Sequence, residues 1–423
     1  MPSSPTTPAC PADLGSAALT DDGASNPAAT ASRRADTWFS DPGLLRRFGI
    51  SRVGDVTGLD VIGVPVWFAV RPNSRGLSVS QGKGLVVEQA RVSAVMEAIE
   101  GAVAEETRQH VAAFGSLLDM RDKGVPIIPL GTVGRVDMDV LDPRKERGWV
   151  KGLSIRKEGD VFAPYELVGM DFRVDFPWDR QAFRMSSQGL AAGFDYDHAV
   201  LHALLELIEN DASVLLDTFE TRAIAPQPTF ITAGTDRSLN SLVQRLTNIG
   251  VTPSFFDLTN GLDVPVVMAT LPRPLQAQDG PTTRHAAGAA CRPDFHGAAL
   301  AALLEAIQSR LTDISGARDD LAPLRYQRDK AVAEPLSHSM RPVKNVPSDL
   351  YFAKGTGSAP AWRQLASHLF ARGIDDIFVF PLQTMVSGLY VVRVLASGLA
   401  PVGSGLQNIS QRGLDHLLTL GGF

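Results

Sequence analysis

The chain has 423 residues, 44% of them hydrophobic and 20% charged, with a formal net charge of −6. That length accommodates a large core and, at roughly 150 residues per lobe, two or three lobes, while the acidic balance argues against a duplex nucleic-acid binder, which would carry a basic face. Cys10 and Cys291 give neither a disulfide framework nor a metal-ligand spacing, and no apolar run approaches the ~20 residues of a membrane span.

Residues 1–35 are Ala, Ser, Thr, Pro and Asp with almost no large apolar side chains, so they read as a disordered tail ahead of one domain over 36–423. The first residues lack the basic and apolar stretches of a secretory signal, and the expected compartment is the cytoplasm. From Val53 to Val70 the β-branched run, punctuated by Gly54, Gly58 and Gly63, predicts strands and turns. Arg71 to Gly84 reads as a polar, glycine-punctuated loop feeding a helix. Further strand-like runs are VFAPYELVGMDF, VPVVMATL and GLYVVRVLAS, with at least four helical segments between them. Alternation of this kind predicts a mixed α/β (α+β) fold, its β-sheets covered by helices. Arg318 to Ser348 reads as a long loop.

One pattern recurs in three helices. In residues 86–106, Val92, Val95, Met96, Ile99, Ala102 and Val103 form an apolar stripe, and Ser93, Glu97 and Glu100 form a polar row. In 198–212 the row is His198, His202, Glu206 and Glu209, on a helix otherwise apolar. In 298–311, Glu305 and Gln308, with Arg310 beside them, interrupt almost continuous Ala and Leu. Glu-x-x-Glu is common on solvated faces, so the first row alone is indistinguishable from surface. The second and third stand on greasy helices, where carboxylates need partners or metal. Mg²⁺ takes a few carboxylate oxygens and leaves positions for phosphate and water, so glutamates on several helices suit Mg²⁺ held against a nucleotide.

Gly76-Leu-Ser-Val-Ser-Gln-Gly82-Lys83-Gly84 is not a P-loop: five residues, not four, separate Gly76 from Gly82, and Gly84 stands where Ser or Thr should follow the lysine. A Gly-Lys-Gly before an acid-bearing helix remains a candidate anion contact, with an ordinary helix-leading loop as the equal alternative. His198-x-x-x-His202 has the helical spacing of two zinc ligands but lacks the Glu of His-Glu-x-x-His, and a packed His202 is the ordinary reading.

LSVSQGKGLVVEQARVSAVMEAIE resembles the first signature of YcaO proteins, in which Gly-Lys-Gly precedes a Ser-x-x-x-Glu-x-x-Glu helix. GLAAGFDYDHAVLHALLELIENDA and AALLEAIQSRLTDISGARDD are similar to the second and third, in the same order, and the likeness runs from about Gly49 to Gly398. The resemblance implies a YcaO-like fold with a central nucleotide site, and an enzyme that uses ATP and Mg²⁺ to phosphorylate a peptide backbone amide oxygen before nucleophile exchange. By the same resemblance Glu97, Glu100, Glu206 and Glu209 would be metal and nucleotide ligands, with His198 where a further glutamate is common. Lys83, Ser93, Glu305, Gln308, Arg310, Arg52 and Arg75 would contact the nucleotide; no single catalytic residue is implied. Gly101 and Asn210 stand where family helices often carry arginine.

The ending LDHLLTLGGF lacks the Pro-x-Pro-x-Pro of azoline-forming members, whereas DISGARDD and YVVRVLASGL resemble members that pair with a TfuA protein and are linked to thioamides. The expected partners are therefore a peptide or protein substrate, a TfuA-like or leader-peptide-binding protein, and a second copy of the chain. No segment reads as a leader-binding winged helix, which leaves a partner or strand addition at a sheet edge to recognise the peptide. The alternatives are azoline formation with a partner, ATP-dependent amide cleavage, or a non-catalytic nucleotide-binding scaffold.

Overall fold

A computed structural model describes residues 41–173, 179–218, 228–230, 237–271, 286–321, 341–342, 359–400 and 412–415. The tail expected over 1–35 lies outside the described residues, as does most of the loop expected over Arg318–Ser348.

The strands are β1 (Arg52–Asp55), β2 (Val66–Val70), β3 (Val79–Lys83), β4 (Val111–Gly115), β5 (Arg147–Ser154), β6 (Gly159–Pro164), β7 (Leu190–Gly193), β8 (Pro228–Phe230), β9 (Ser254–Asp257), β10 (Val266–Leu271), β11 (Ala286–Cys291), β12 (Arg341–Pro342), β13 (Ile377–Leu382) and β14 (Tyr390–Ala396). The long helices are α1 (Val87–Ala104), α2 (Tyr196–Thr218), α3 (Arg237–Asn248), α4 (Phe295–Ser315) and α5 (Ala361–Ala371). The strands make three sheets, ordered β1-β2-β3, β11-β10-β9-β8-β12 and β4-β5-β13-β14-β7, with β6 added to β5. Pairing is antiparallel except between β8 and β12. This is the mixed α/β arrangement predicted.

Two expectations change. The segment read as a loop before the first helix ends in a strand, β3, paired with β2 from Val66↔Lys83 to Val70↔Val79. Its glycine is a packing device rather than a turn residue, because a Cβ on Gly82 would lie 2.0 Å from the amide nitrogen of Ala94 in α1. Within the stretch read as a long loop, Arg341 and Pro342 pair in parallel with Thr229 and Phe230.

The six-stranded sheet is covered on both faces, so β13 and β14 at its centre are mostly apolar, with Arg393 the charged exception. Val391 and Leu395 of β14 join one core with α1, and Val392, Val394 and Ala396 join a second with α2 and α5. A third core lies between the five-stranded sheet and helices α3 and α4. The Ala-rich faces of α1 and α4 let them approach glycine-bearing strands: Gly288 of β11 meets α4 as Gly82 meets α1, its Cβ position 2.5 Å from the Ala306 nitrogen. Asp294 caps α4 by accepting from the Gly297 amide, and Gly316 ends it in the left-handed conformation, φ 59°.

Each of the three acid-bearing helices thus roofs a different core, yet they share strands. α1 packs on β3 and β7, α2 on β7, β14 and β11, and α4 on β11 and β3. Helices and strands thus alternate around a closed circuit of α1, β7, α2, β11, α4 and β3.

Candidate functional site

The glutamates of the three helices project into that circuit, and the strands between them supply backbone donors. Ala192 N donates to Glu100 Oε1 at 2.8 Å, Gly189 N to Glu206 Oε2 at 3.3 Å, and Cys291 N to Glu209 Oε2 at 3.2 Å. Each contact fixes one carboxylate oxygen and leaves its twin for another partner. Lys83, the last residue of β3, places Nζ 3.0 Å from Glu305 Oε2 and so joins the first signature to the third.

The electrostatics follow from crowding acids inside a protein wall. Withdrawal from bulk water raises Glu97 to about 7, against the pull of Lys83 and Arg318. Glu206 also rises to about 7, burial again outweighing the attraction of Arg393. Burial sends Glu100 well above the usual carboxylate range, with repulsion from Glu97 and Glu206 adding to it. Glu209 rises likewise, pushed further by Glu305 and Glu206. Glu97 nevertheless keeps an exposed flank, and Glu100, Glu206, Glu209 and Glu305 are half-buried, so the acids line open space and are not sealed in a core. His202, also with an exposed edge, is pushed down to about 3 by burial and by nearby Arg292, which keeps its ring neutral.

The circuit brings together Lys83, Glu97, Glu100, Glu206, Glu209 and Glu305. Ser93 lies one turn before Glu97, against the backbone of Gly82, and Gln308 one turn after Glu305. His198 stands exposed in the first turn of α2, eight residues and therefore about 12 Å along the axis from Glu206. It lies too far away to share one ion with that glutamate. Arg75 is engaged elsewhere, donating to the Glu105 carbonyl and pairing with Asp171 at 3.5 Å. Arg310 pairs with Asp60 at 3.2 Å, and Arg52 is exposed on β1.

Lys83 was named from the sequence, but three arginines that act on the acids were not. Arg318, in the segment after α4, pairs with Asp320 at 2.6 Å and lies near enough to Glu97 to lower its pKa, while its neighbour Asp319 accepts from the Ser78 amide and hydroxyl at 2.8 Å each. Arg292 follows β11, and Arg393 lies within β14. A lone arginine inside the β-branched run YVVRVLA was the available signal.

Among the described residues no three His, Cys, Asp or Glu side chains are grouped to hold one metal ion. Mg²⁺ is a hard cation commonly bound by one or two carboxylates, its remaining positions filled by substrate phosphates and water. The free oxygens of Glu100, Glu206 and Glu209 and the carboxylate of Glu97 could serve in that way. Such oxygen donors, on a mixed α/β scaffold with Lys83, Arg292 and Arg318 near enough to act on them, could hold a metal ion against a polyphosphate.

Comparison with known proteins gives the family. Residues 81–400 match the model described as YcaO cyclodehydratase, ATP- and Mg²⁺-binding. A Rhizobium leguminosarum protein described as an uncharacterized protein in the tfuA 3′ region is 36% identical over 365 residues, 84% of each chain. An uncharacterized protein of Methanothermobacter thermautotrophicus is 29% identical, over 84% of this chain and 91% of its own. The structure of YcaO from Methanopyrus kandleri bound with AMPPCP and Mg²⁺ superposes with a TM-score of 0.64 at 22% identity, covering 87% of this chain and 91% of that one. A heterocyclase in complex with substrate and cofactor gives 0.64 at 15% identity, over 93% of this chain and 55% of its own.

The chain belongs to the YcaO family, whose members are ATP- and Mg²⁺-dependent peptide-modifying enzymes. Among the described residues no helix is long and apolar enough to cross a membrane.

Proposed function

We propose that the chain uses ATP to activate a peptide backbone amide and exchanges the amide oxygen for sulfur, leaving a thioamide. The observation that carries the ATP site is the convergence of Glu97, Glu100, Glu206, Glu209 and Glu305 from three helices on one enclosure where their charges repel. Protein seldom gathers acids at that cost without a cation to receive. In this reading Glu97, Glu100, Glu206 and Glu209 would hold Mg²⁺, and Lys83, now 3.0 Å from Glu305, would be available to a phosphate oxygen. Ser93, Gln308 and Arg318 hydrogen-bond the nucleotide from the rim. Bound Mg²⁺ supplies charge neutralisation for the transferring phosphoryl group.

The amide oxygen attacks the γ-phosphorus, the bond from that phosphorus to ADP breaks, and the carbonyl carbon becomes a good electrophile. Hydrosulfide then adds at carbon, and phosphate leaves with the original oxygen as a proton is lost. The protein's part is to position the reactants and stabilise charge. Sulfur as the nucleophile is supported by the relative encoded beside tfuA, and the proposed partner is accordingly a TfuA-like protein. The family model's own description supports a second outcome, azoline formation with loss of water.

Intact-mass analysis of a precursor peptide co-expressed with the chain and a TfuA-like protein separates these. Replacement of oxygen by sulfur is the predicted product. Loss of water contradicts thioamidation in favour of azoline, and peptide fragments contradict both in favour of ATP-dependent cleavage.

A further inference from the structure

Two arginines in the core make no salt bridge among the described residues, although a buried charge left unpaired costs several kcal/mol. Arg393 is 0% exposed and Arg135 4%. Both instead donate to main-chain carbonyls, and both span the same two segments. Arg393 reaches Val168 O from Nε at 3.0 Å and Gln188 O from Nη1 at 2.7 Å. Arg135 reaches Leu167 O from Nη2 at 2.8 Å and Ser186 O from Nη1 at 3.3 Å. Side by side they fasten the turn Ser186–Gly189 to the short helix Tyr165–Val168.

That turn is where the acids are held. Gly189, at φ +75°, turns its amide to Glu206 while its carbonyl accepts from Val394 N at 2.7 Å. Three residues further on, the Ala192 amide holds Glu100. A Cβ on Gly189 would lie 2.3 Å from the Val394 carbonyl oxygen, so the turn has no slack against β14. The remaining guanidinium nitrogen of Arg393, Nη2, is buried without a hydrogen-bond partner. The charges the two guanidiniums face are those of the site: Glu206 acts on both, and Glu100 on Arg393.

We propose that Arg135 and Arg393 are positioning residues of the glutamate site, a double clamp that aims the Gly189 and Ala192 amides at Glu206 and Glu100 and sets two positive charges beneath those acids. They touch no reactant and act through the turn they hold. The clamp rests on reading the glutamates as the magnesium–nucleotide site. The ordinary alternative, two interior arginines that merely cap carbonyls, predicts a loss of stability and nothing else.

The Mg²⁺ dependence of AMPPCP binding, measured by calorimetry on the full chain, distinguishes these readings. Arg393→Lys and Arg135→Lys keep the charge, but a lysine cannot bridge both carbonyls in the same planar geometry. The Mg²⁺ concentration for half-maximal AMPPCP binding should rise roughly tenfold or more in each, as for other residues that orient metal ligands. In Arg393→Lys/Glu206→Gln the two effects should fall well short of additive, because the arginine acts through that glutamate. Wild-type Mg²⁺ dependence in both single variants, shown folded by circular dichroism and urea unfolding, overturns the clamp, as does full additivity. If Arg393→Lys does not fold, Arg135→Lys, whose weaker contact is 3.3 Å, decides alone. Unchanged Mg²⁺-dependent binding in Glu206→Gln refutes the site reading, and the clamp with it. Lost binding in Glu206→Gln beside wild-type binding in the arginine variants refutes the clamp alone.

Discussion

Glu206→Gln should stabilise the protein without ligand and weaken its response to ligand. A free glutamate titrates near 4.5, and this one is raised to about 7 by burial. At pH 8 the folded state therefore carries a charge it would hold less readily than the unfolded chain does. At about 1.4 kcal/mol per pH unit of separation the full penalty would approach ~3 kcal/mol, but the side chain is half-buried and solvent screening reduces it to about 1–2 kcal/mol. Glutamine removes the charge, and its amide oxygen can still accept from Gly189. With an unfolding entropy of about 2.1 cal/mol/K per residue, a chain of 423 residues rises about 1–2 °C in Tm. Saturating Mg²⁺–AMPPCP at about 100 Kd stabilises the wild type by about 2.7 kcal/mol, or about 3 °C. A tenfold loss of affinity lowers that by about 1.4 kcal/mol. Differential scanning fluorimetry at pH 8, with and without Mg²⁺–AMPPCP, reads both effects. A variant less stable than wild type without ligand and equally stabilised by it would refute the reasoning.

Other consequences follow from the same contacts. Glu97 and Glu206 both have folded values of about 7 against 4.5 unfolded, so between those pH values the folded state holds more protons. Stability from this cluster is then fullest below about pH 4.5 and is lost as pH rises through about 7, while Mg²⁺ affinity climbs over that window; urea unfolding and calorimetry at pH 6 and 8 should show the opposite trends. Gly101→Arg, which restores the family's more usual residue, should not improve binding: a Cβ there lies 2.9 Å from Arg71 Nη1, and Arg71 is paired with buried Glu105 at 2.6 Å. Disrupting that pair should lower stability by about 3 kcal/mol in urea unfolding. Asp319→Ala removes the anchor to Ser78 and with it the placing of Arg318 beside Glu97; AMPPCP affinity should fall several-fold while Tm moves by about 1 °C.

The three acid helices were legible because their backgrounds are apolar and helical periodicity survives burial: Val95, Ile99, Ala102 and Val103 of the predicted stripe are all buried, as are Leu204, Leu205 and Ile208. β3 was not legible, because SVSQGK carries little strand propensity and Gly82 looks like a turn residue until α1 is seen against it. β11, Ala-Ala-Gly-Ala-Ala-Cys, was hidden for the same reason: its small residues serve the approach of α4. The amides of Gly189, Ala192 and Cys291 belong to contacts as far as 92 residues apart in the chain, and every residue carries an amide, so no side-chain pattern could mark them. Arg75 and Arg310 were assigned by motif position, yet nearby carboxylates already engage them.

The central claim is that these glutamates hold divalent metal against a nucleotide, and anomalous diffraction from crystals grown with Mn²⁺ and AMPPCP tests it most directly. Mn²⁺ peaks are expected at ordinary coordination distance, about 2.1 Å, from carboxylate oxygens of Glu97, Glu100, Glu206 or Glu209, with AMPPCP phosphates beside them. Mn²⁺ bound at His198 and His202, or AMPPCP bound away from the circuit of α1, α2 and α4, would contradict it.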